Sequence, residues 1–137
     1  MIILDTDIMI DLLRKHPPAM AWLASLGDEE IALPGFVVME LIQGCRNKAE
    51  QIKVEKSATS HSVVWPSSKT CDEALSVFSR YHLSHSLGLL DALIGETALA
   101  LNLPLHTFNQ KHYAAVPNLK TVQPYTRGIQ AQVMTQP

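Results

Sequence analysis

The chain reads as an α/β domain built on a parallel sheet covered by helices on both faces, and three observations predict it. Short aliphatic runs at 1–5, 31–33, 61–65, 103–108 and 119–122 alternate with longer stretches whose apolar side chains recur at helical spacing. The runs are apolar on both sides, as strands enclosed between two helical layers are. Hydrophobic residues make up 47% of the 137 positions and charged residues 18%, so one domain can bury roughly two thirds of the surface its unfolded chain exposes.

Residues 1–5 form the first buried strand, and Ile8, Met9, Leu12 and Leu13 after it have helical spacing, with Thr6 or Asp7 as the cap. Pro17-Pro18 ends that helix and opens a second short one through Met20, Trp22, Leu23 and Leu26, closed by Gly27. Residues 31–33 are the second strand. Pro34-Gly35 then turns the chain into a helix over about 36–45. The polar stretch 47–59 has a helical rhythm and is expected on the surface. Residues 61–65 give the third strand, and Pro66-Ser67-Ser68 caps a helix running to about His82. A loop through Ser84 and Ser86 is expected before the most apolar helix, 89–101. Residues 103–108 make the fourth strand and 119–122 the fifth. The domain thus spans 1–125, and 126–137 is a polar tail low in aromatics, expected to be mobile or ordered by a partner.

Within this frame three acids stand where the pattern calls for apolar side chains. Asp5 closes the run Met1-Ile2-Ile3-Leu4, Glu40 is the sole charge between Ile31 and Cys45, and Asp91 interrupts the apolar stretch that starts at Leu87. A carboxylate among aliphatic side chains is costly unless a cation or hydrogen-bond donors compensate it. Taken singly, each also reads as a solvent-facing charge on a buried helix, or in the case of Asp91 as a helix N-cap. Taken together they fall where a parallel sheet gathers its ligand site, beyond the carboxyl ends of the strands. The polar group Thr107, Asn109, Lys111 and His112 follows the fourth strand and belongs to the same edge.

One shared compensator for three acids is a divalent cation, Mg²⁺ or Mn²⁺, since hard ions take carboxylate oxygens. Such an ion polarises a phosphoryl oxygen and acidifies a bound water, the logic of metal-assisted phosphodiester cleavage.

The remaining features exclude more than they assign. Cys45 and Cys71 are isolated and belong to no C-x-x-C pair, which fits free thiols in a reducing cytoplasm. No apolar run is long enough to cross a bilayer uninterrupted, and the N-terminus opens into a strand pattern, so neither a membrane span nor a signal peptide is expected. The net charge of -2 gives no overall attraction to a polyanion. A local patch would have to come from Arg14, Lys15, Arg46, Lys48, Lys53, Lys56 and Lys111. His82 and His85 sit three apart with no third ligand nearby, and Trp22 and Trp65 are too scattered for a stacking platform. Glu96 lies on another side of its helix from Asp91 and is expected at the surface or facing a partner.

The order Leu4-Asp5-Thr6-Asp7-Ile8, Val38-Met39-Glu40-Leu41, Leu90-Asp91-Ala92-Leu93-Ile94 and Thr107-Phe108-Asn109-Gln110-Lys111-His112-Tyr113 resembles the PIN-domain nucleases, and among them the VapC-type toxins of bacterial toxin-antitoxin pairs. Each motif is short, but order, spacing and length agree from Met1 to about Val122. The resemblance implies a three-layer α/β/α fold and Mg²⁺- or Mn²⁺-dependent endoribonuclease activity held off by a cognate antitoxin, commonly in a homodimer. It makes Asp5, Glu40 and Asp91 the metal-binding acids, with Thr6 orienting the first, and Asp7, Thr107, Asn109 and His112 in support. Many members of that family carry a fourth acid where this chain has His112, which leaves the number of ions open, with Asn109, Asp7 or a water to supply the missing ligand. Arg46 and Lys111 are the candidates to hold RNA phosphates.

Two other readings stand beside this one. Ile3-Leu4-Asp5-Thr6-Asp7 also imitates the D-x-D pair of haloacid dehalogenase-like phosphatases, with Asp5 as nucleophile, although Ile8 and Met9 depart from that motif. A catalytically inactive PIN scaffold that only binds partners is the other. A phospho-receiver switch would need an acceptor Asp after the third strand, and 61–67 contains none.

Overall fold

The computed structural model describes residues 1–127. Five short strands form one parallel sheet, β1 (Ile2–Leu4), β2 (Ile31–Pro34), β3 (Ser62–Val64), β4 (Leu105–His106) and β5 (Thr121–Val122), in the order β3-β2-β1-β4-β5. The register pairs Ile3 with Ala32 on one side and with Leu105 on the other. Helices α1 (Thr6–Leu13), α2 (Pro17–Ser25), α3 (Gly35–Gln43) and α4 (Lys48–Ala58) carry the chain outward from β1 to β3, while α5 (Ser68–His85), α6 (Leu89–Ala100) and α7 (Gln110–Tyr113) return it through β4 to β5. Right-handed crossovers travelling in opposite directions place the two groups on opposite faces, which is the expected three-layer arrangement.

The sequence dictates this locally. β1 and β2 are buried on both sides: Ile3, Leu4, Ala32 and Leu33 have no exposed surface. Ile8, Met9, Val37, Leu87, Ile94 and Leu105 pack against them in one continuous core. Ser67 caps α5 by accepting from the Thr70 N–H, and Asn47 caps α4 by accepting from Glu50. Gly27, at φ +60, supplies the left-handed turn after α2 that a side chain would strain.

Several expectations need correcting. The cap of α1 is Asp5 itself, whose Oδ1 accepts from the Thr6 N–H at 2.8 Å, in place of Thr6 or Asp7. The helix expected to stop near His82 continues through Ser84 to His85, and Ser86, in the left-handed region, ends it. Phe78 stacks on His82 and Tyr81 lies edge-on to His85, so side-chain packing carries the last turn past Ser84. The fourth strand shortens to Leu105–His106, although the Thr107 N–H still donates to the Val122 carbonyl at 2.9 Å, and α7 follows where none was expected. Glu96 is buried rather than superficial, its carboxyl raised by burial and by nearby Glu73. Thr126 and Arg127 of the expected tail are described; the rest of it, 128–137, lies outside the described residues.

No helix among the described residues is long and apolar enough to cross a membrane.

Candidate active site

Because all five strands are parallel, their carboxyl ends form one edge. β1 sits at the switch point, with β2 on one side and β4 on the other, and the crevice opens there. Asp5, Thr6, Asp7, Ile10, Glu40, Asp91, Phe108, Asn109 and Arg127 line it. The three acids, remote in sequence, therefore meet in one pocket. Asp5 arrives from the end of β1, Glu40 from the middle of α3 and Asp91 from the first turn of α6.

Each carboxylate is held by its neighbours. Asp5 is 5% exposed; its Oδ1 accepts from the Thr6 N–H, and its Oδ2 accepts from the Thr107 hydroxyl at 2.8 Å. The Thr6 hydroxyl donates to Glu40 Oε1, so Thr6 serves Asp5 through its backbone and Glu40 through its side chain. The Gly88 N–H donates to Asp91 Oδ2 at 3.0 Å, closing the start of α6. Asp7 accepts from the Phe108 N–H at 2.9 Å and from its neighbour Ile8, which ties α1 to the chain beyond β4. Thr107, with no exposed surface, also accepts from the Asn109 N–H.

At Asp5 and Asp7 these contacts do not offset burial. Burial, and then the charge of Asp7, push the Asp5 carboxyl up to about 7. Burial raises Asp7 as well, against the donors that face it. The Tyr113 hydroxyl is buried without a well-formed hydrogen bond. Its proton is held far above the usual phenol range by burial and by Asp5, Asp91 and Glu40, so all three acids act on one point.

The lining offers carboxylates and hydroxyls and no thiol or imidazole, the donor set that a hard divalent ion prefers. Among the described residues no three acidic, histidine or cysteine side chains form a finished cation cage. Mg²⁺ commonly keeps several waters and takes one or two carboxylates directly. A donor set of three carboxylates spread around an open pocket suits an ion bound in that manner, so the residues present fit the group.

Of the supporting residues read from sequence, Thr6, Asp7, Thr107 and Asn109 are in contact with the site. His112 meets it through Asn109, its Nδ1 lying 3.0 Å from the Asn109 amide. The two cations named for phosphates do not line the pocket. Arg46 is bound to Glu50 on the surface at 3.2 Å, and Lys111 is exposed on α7. Arg14 and Lys53 instead line an adjoining groove that shares Glu40 and Ile10 with the acidic pocket.

Two residues escaped the sequence reading. Asp11 is buried and accepts from the Tyr125 hydroxyl at 2.6 Å and from Arg127 Nε at 2.7 Å. Arg127 reaches the pocket from what reads as a polar tail. Asp7 and Asp11 are four apart on α1, which is a legible signal for a shared face; nothing near Arg127 in sequence points to it.

Comparison with known proteins agrees with this geometry. A PIN domain family model matches residues 2–117. Ribonuclease VapC10 of Mycobacterium tuberculosis is 34% identical over 122 residues, covering 88% of this chain and 91% of that protein. Ribonuclease VapC19 of the same organism is 36% identical over 124 residues, covering 86% and 96%. Among solved structures, VapBC2 from Rickettsia felis bound to a DNA fragment from its promoter superposes with a TM-score of 0.73 at 26% identity, covering 89% of this chain and 98% of that one.

Proposed function

Since the chain belongs to the PIN domain family, we propose that it is an endoribonuclease acting as the toxin of a toxin-antitoxin pair. The observation that carries this is the meeting of Asp5, Glu40 and Asp91 in one pocket at the switch point of the sheet. The relatives named ribonuclease and the VapBC structure support the substrate and the partner: RNA to cut, and a cognate antitoxin to restrain the cutting.

In this reading Asp5, Glu40 and Asp91 hold Mg²⁺ or Mn²⁺, which when bound supplies positive charge to a phosphoryl oxygen and acidifies a water. The chain's own groups set the geometry. Thr6 and Thr107 fix the Asp5 carboxylate, Thr6 also fixes Glu40, and Asp7 braces Phe108 and hence Asn109 at the rim. Water attacks phosphorus in line with the departing 3′ oxygen, leaving a 5′-phosphate and a 3′-hydroxyl. The haloacid dehalogenase reading loses its ground, because the family match spans nearly all of the folded chain and Asp5 is buried under two hydrogen bonds, a poor posture for a nucleophile.

Titration with Mn²⁺ tests the ion directly. At about a hundred times its dissociation constant it should stabilise the fold by about 2.7 kcal/mol, read as a rise in melting temperature, with cleavage of single-stranded RNA appearing over the same concentrations. A protein that neither gains thermal stability nor cuts RNA would be the inactive scaffold.

A second measurement concerns Gly88. A Cβ there would lie 2.7 Å from Asp91 Oδ2, too close without moving the carboxylate. Gly88→Ala should lower cleavage about tenfold, with stability reduced by no more than about 1 kcal/mol, the worth of a helix cap. Unchanged turnover in that variant would show that the site tolerates a displaced Asp91 carboxylate, and Asp91→Asn, keeping the Gly88 backbone, would then decide whether its charge is needed.

A further inference from the structure

We infer that Arg127 is a substrate-binding residue of this site, holding an RNA phosphate beside the scissile one. The inference rests on the nuclease reading above and deepens it. Among the described residues that line the acidic pocket, Arg127 is the one cation, sharing the lining with Asp5, Asp7, Glu40 and Asp91. An RNA strand brings a phosphate every nucleotide, and a pocket of four acids repels it unless some positive charge is fixed at the edge.

Arg127 is fixed there by three contacts. Its Nε and Nη2 both lie 2.7 Å from Asp11 Oδ2, Nη2 also reaches the Asp7 carbonyl at 3.4 Å, and its guanidinium lies 4.0 Å above the Phe108 ring. Asp11 is itself held by Tyr125, which stacks edge-on to Phe108. A guanidinium carries five N–H donors in a rigid fork, more than these contacts among the described residues use, and the side chain is still 37% exposed. Asp11 shares a face of α1 with Asp7, so the pairing that neutralises Asp11 also seats the guanidinium at the mouth of the pocket. Held by one edge and offering the other, it presents the planar pair of donors that a phosphate accepts.

A merely structural role would be the locking of the chain's end onto α1, and a salt titration separates the two. A phosphate contact on a single strand contributes about 0.7 to the slope of log affinity against log salt. Binding of a fluorescein-labelled, mixed-sequence single-stranded RNA of twenty nucleotides is measured in Mg²⁺ with full-length protein carrying Asp91→Asn to prevent cutting. Adding Arg127→Gln should weaken binding about tenfold at low salt and reduce the slope by about 0.7. Arg127→Lys should keep the slope while losing part of the affinity, and Tyr125→Phe, which removes a chain-end bond to Asp11 but leaves the Arg127 pairing, should keep it too. If Arg127→Gln leaves the slope unchanged, or if Tyr125→Phe lowers it equally, Arg127 only fastens the chain end and the inference is overturned. If protein with Arg127 intact neither binds this RNA nor, without the Asp91 change, cuts it, the nuclease reading falls and takes the inference with it.

Discussion

Asp5→Asn should lower RNA cleavage by about three orders of magnitude, equivalent to about 4 kcal/mol of transition-state stabilisation, while making the protein more stable at pH 8. The two effects come from the same burial. In the folded protein the Asp5 carboxyl holds its proton up to about 7, against 3.8 for the ordinary group. Between those values the folded state binds more protons than the unfolded chain, so stability falls as pH rises from about 4 to about 7. The loss amounts to at most about 4 kcal/mol. Asparagine carries no charge to desolvate and escapes this cost. Thermal melts from pH 5 to pH 8 in the absence of divalent ions should therefore show a decline in the parent protein that is largely missing from the variant. Mn²⁺ should raise the melting temperature of the parent and not of the variant. Cleavage within tenfold of the parent would end the assignment of Asp5.

The second large effect belongs to Thr107. Its hydroxyl donates to Asp5 Oδ2 at 2.8 Å, lies 3.3 Å from Asp7 Oδ2 and accepts from the Asn109 N–H at 2.9 Å. Valine has almost the same shape and none of these bonds. Thr107→Val strips a buried carboxylate of a donor and leaves an amide without its acceptor, losses of about 1.5–3 and 1–3 kcal/mol. We expect a net loss of about 3 kcal/mol in denaturant unfolding at pH 8, and a fall in activity as the Asn109 segment loosens. Thr107→Ser keeps the hydroxyl and should lose about 1 kcal/mol, the worth of the deleted methyl. Equal stability of the valine and serine proteins would show that the hydroxyl contributes nothing.

Much of this architecture was legible because it rests on short-range signals. Ile2-Ile3-Leu4 followed by an acid, with helical spacing from Ile8, locates the central strand and the start of the site without any tertiary knowledge. The same holds for Asp91 among Leu89, Leu90, Leu93 and Ile94. Polar composition misled where packing decides: Ser84 and Ser86 suggest a loop, yet aromatic contacts extend α5 to His85. Arg46, chosen on charge, lies outside the acidic pocket and pairs with Glu50 on the surface. The partnership of Asp11 with Tyr125 and Arg127 spans more than a hundred positions, and no local period encodes a contact of that kind. What sequence could name was which acids are out of place; what it could not name was which distant groups hold them.

The placement of β1 at the centre of the sheet has a consequence during synthesis. Asp5 leaves the ribosome well before β4, and the Thr107 hydroxyl that holds it follows 102 positions later, an interval on the order of ten seconds at ordinary elongation speeds. A nascent chain that has emerged only as far as α6 carries every acid of the pocket and lacks the strand that aligns them. The fully bonded form of the site thus waits for β4, about a hundred residues after its first acid.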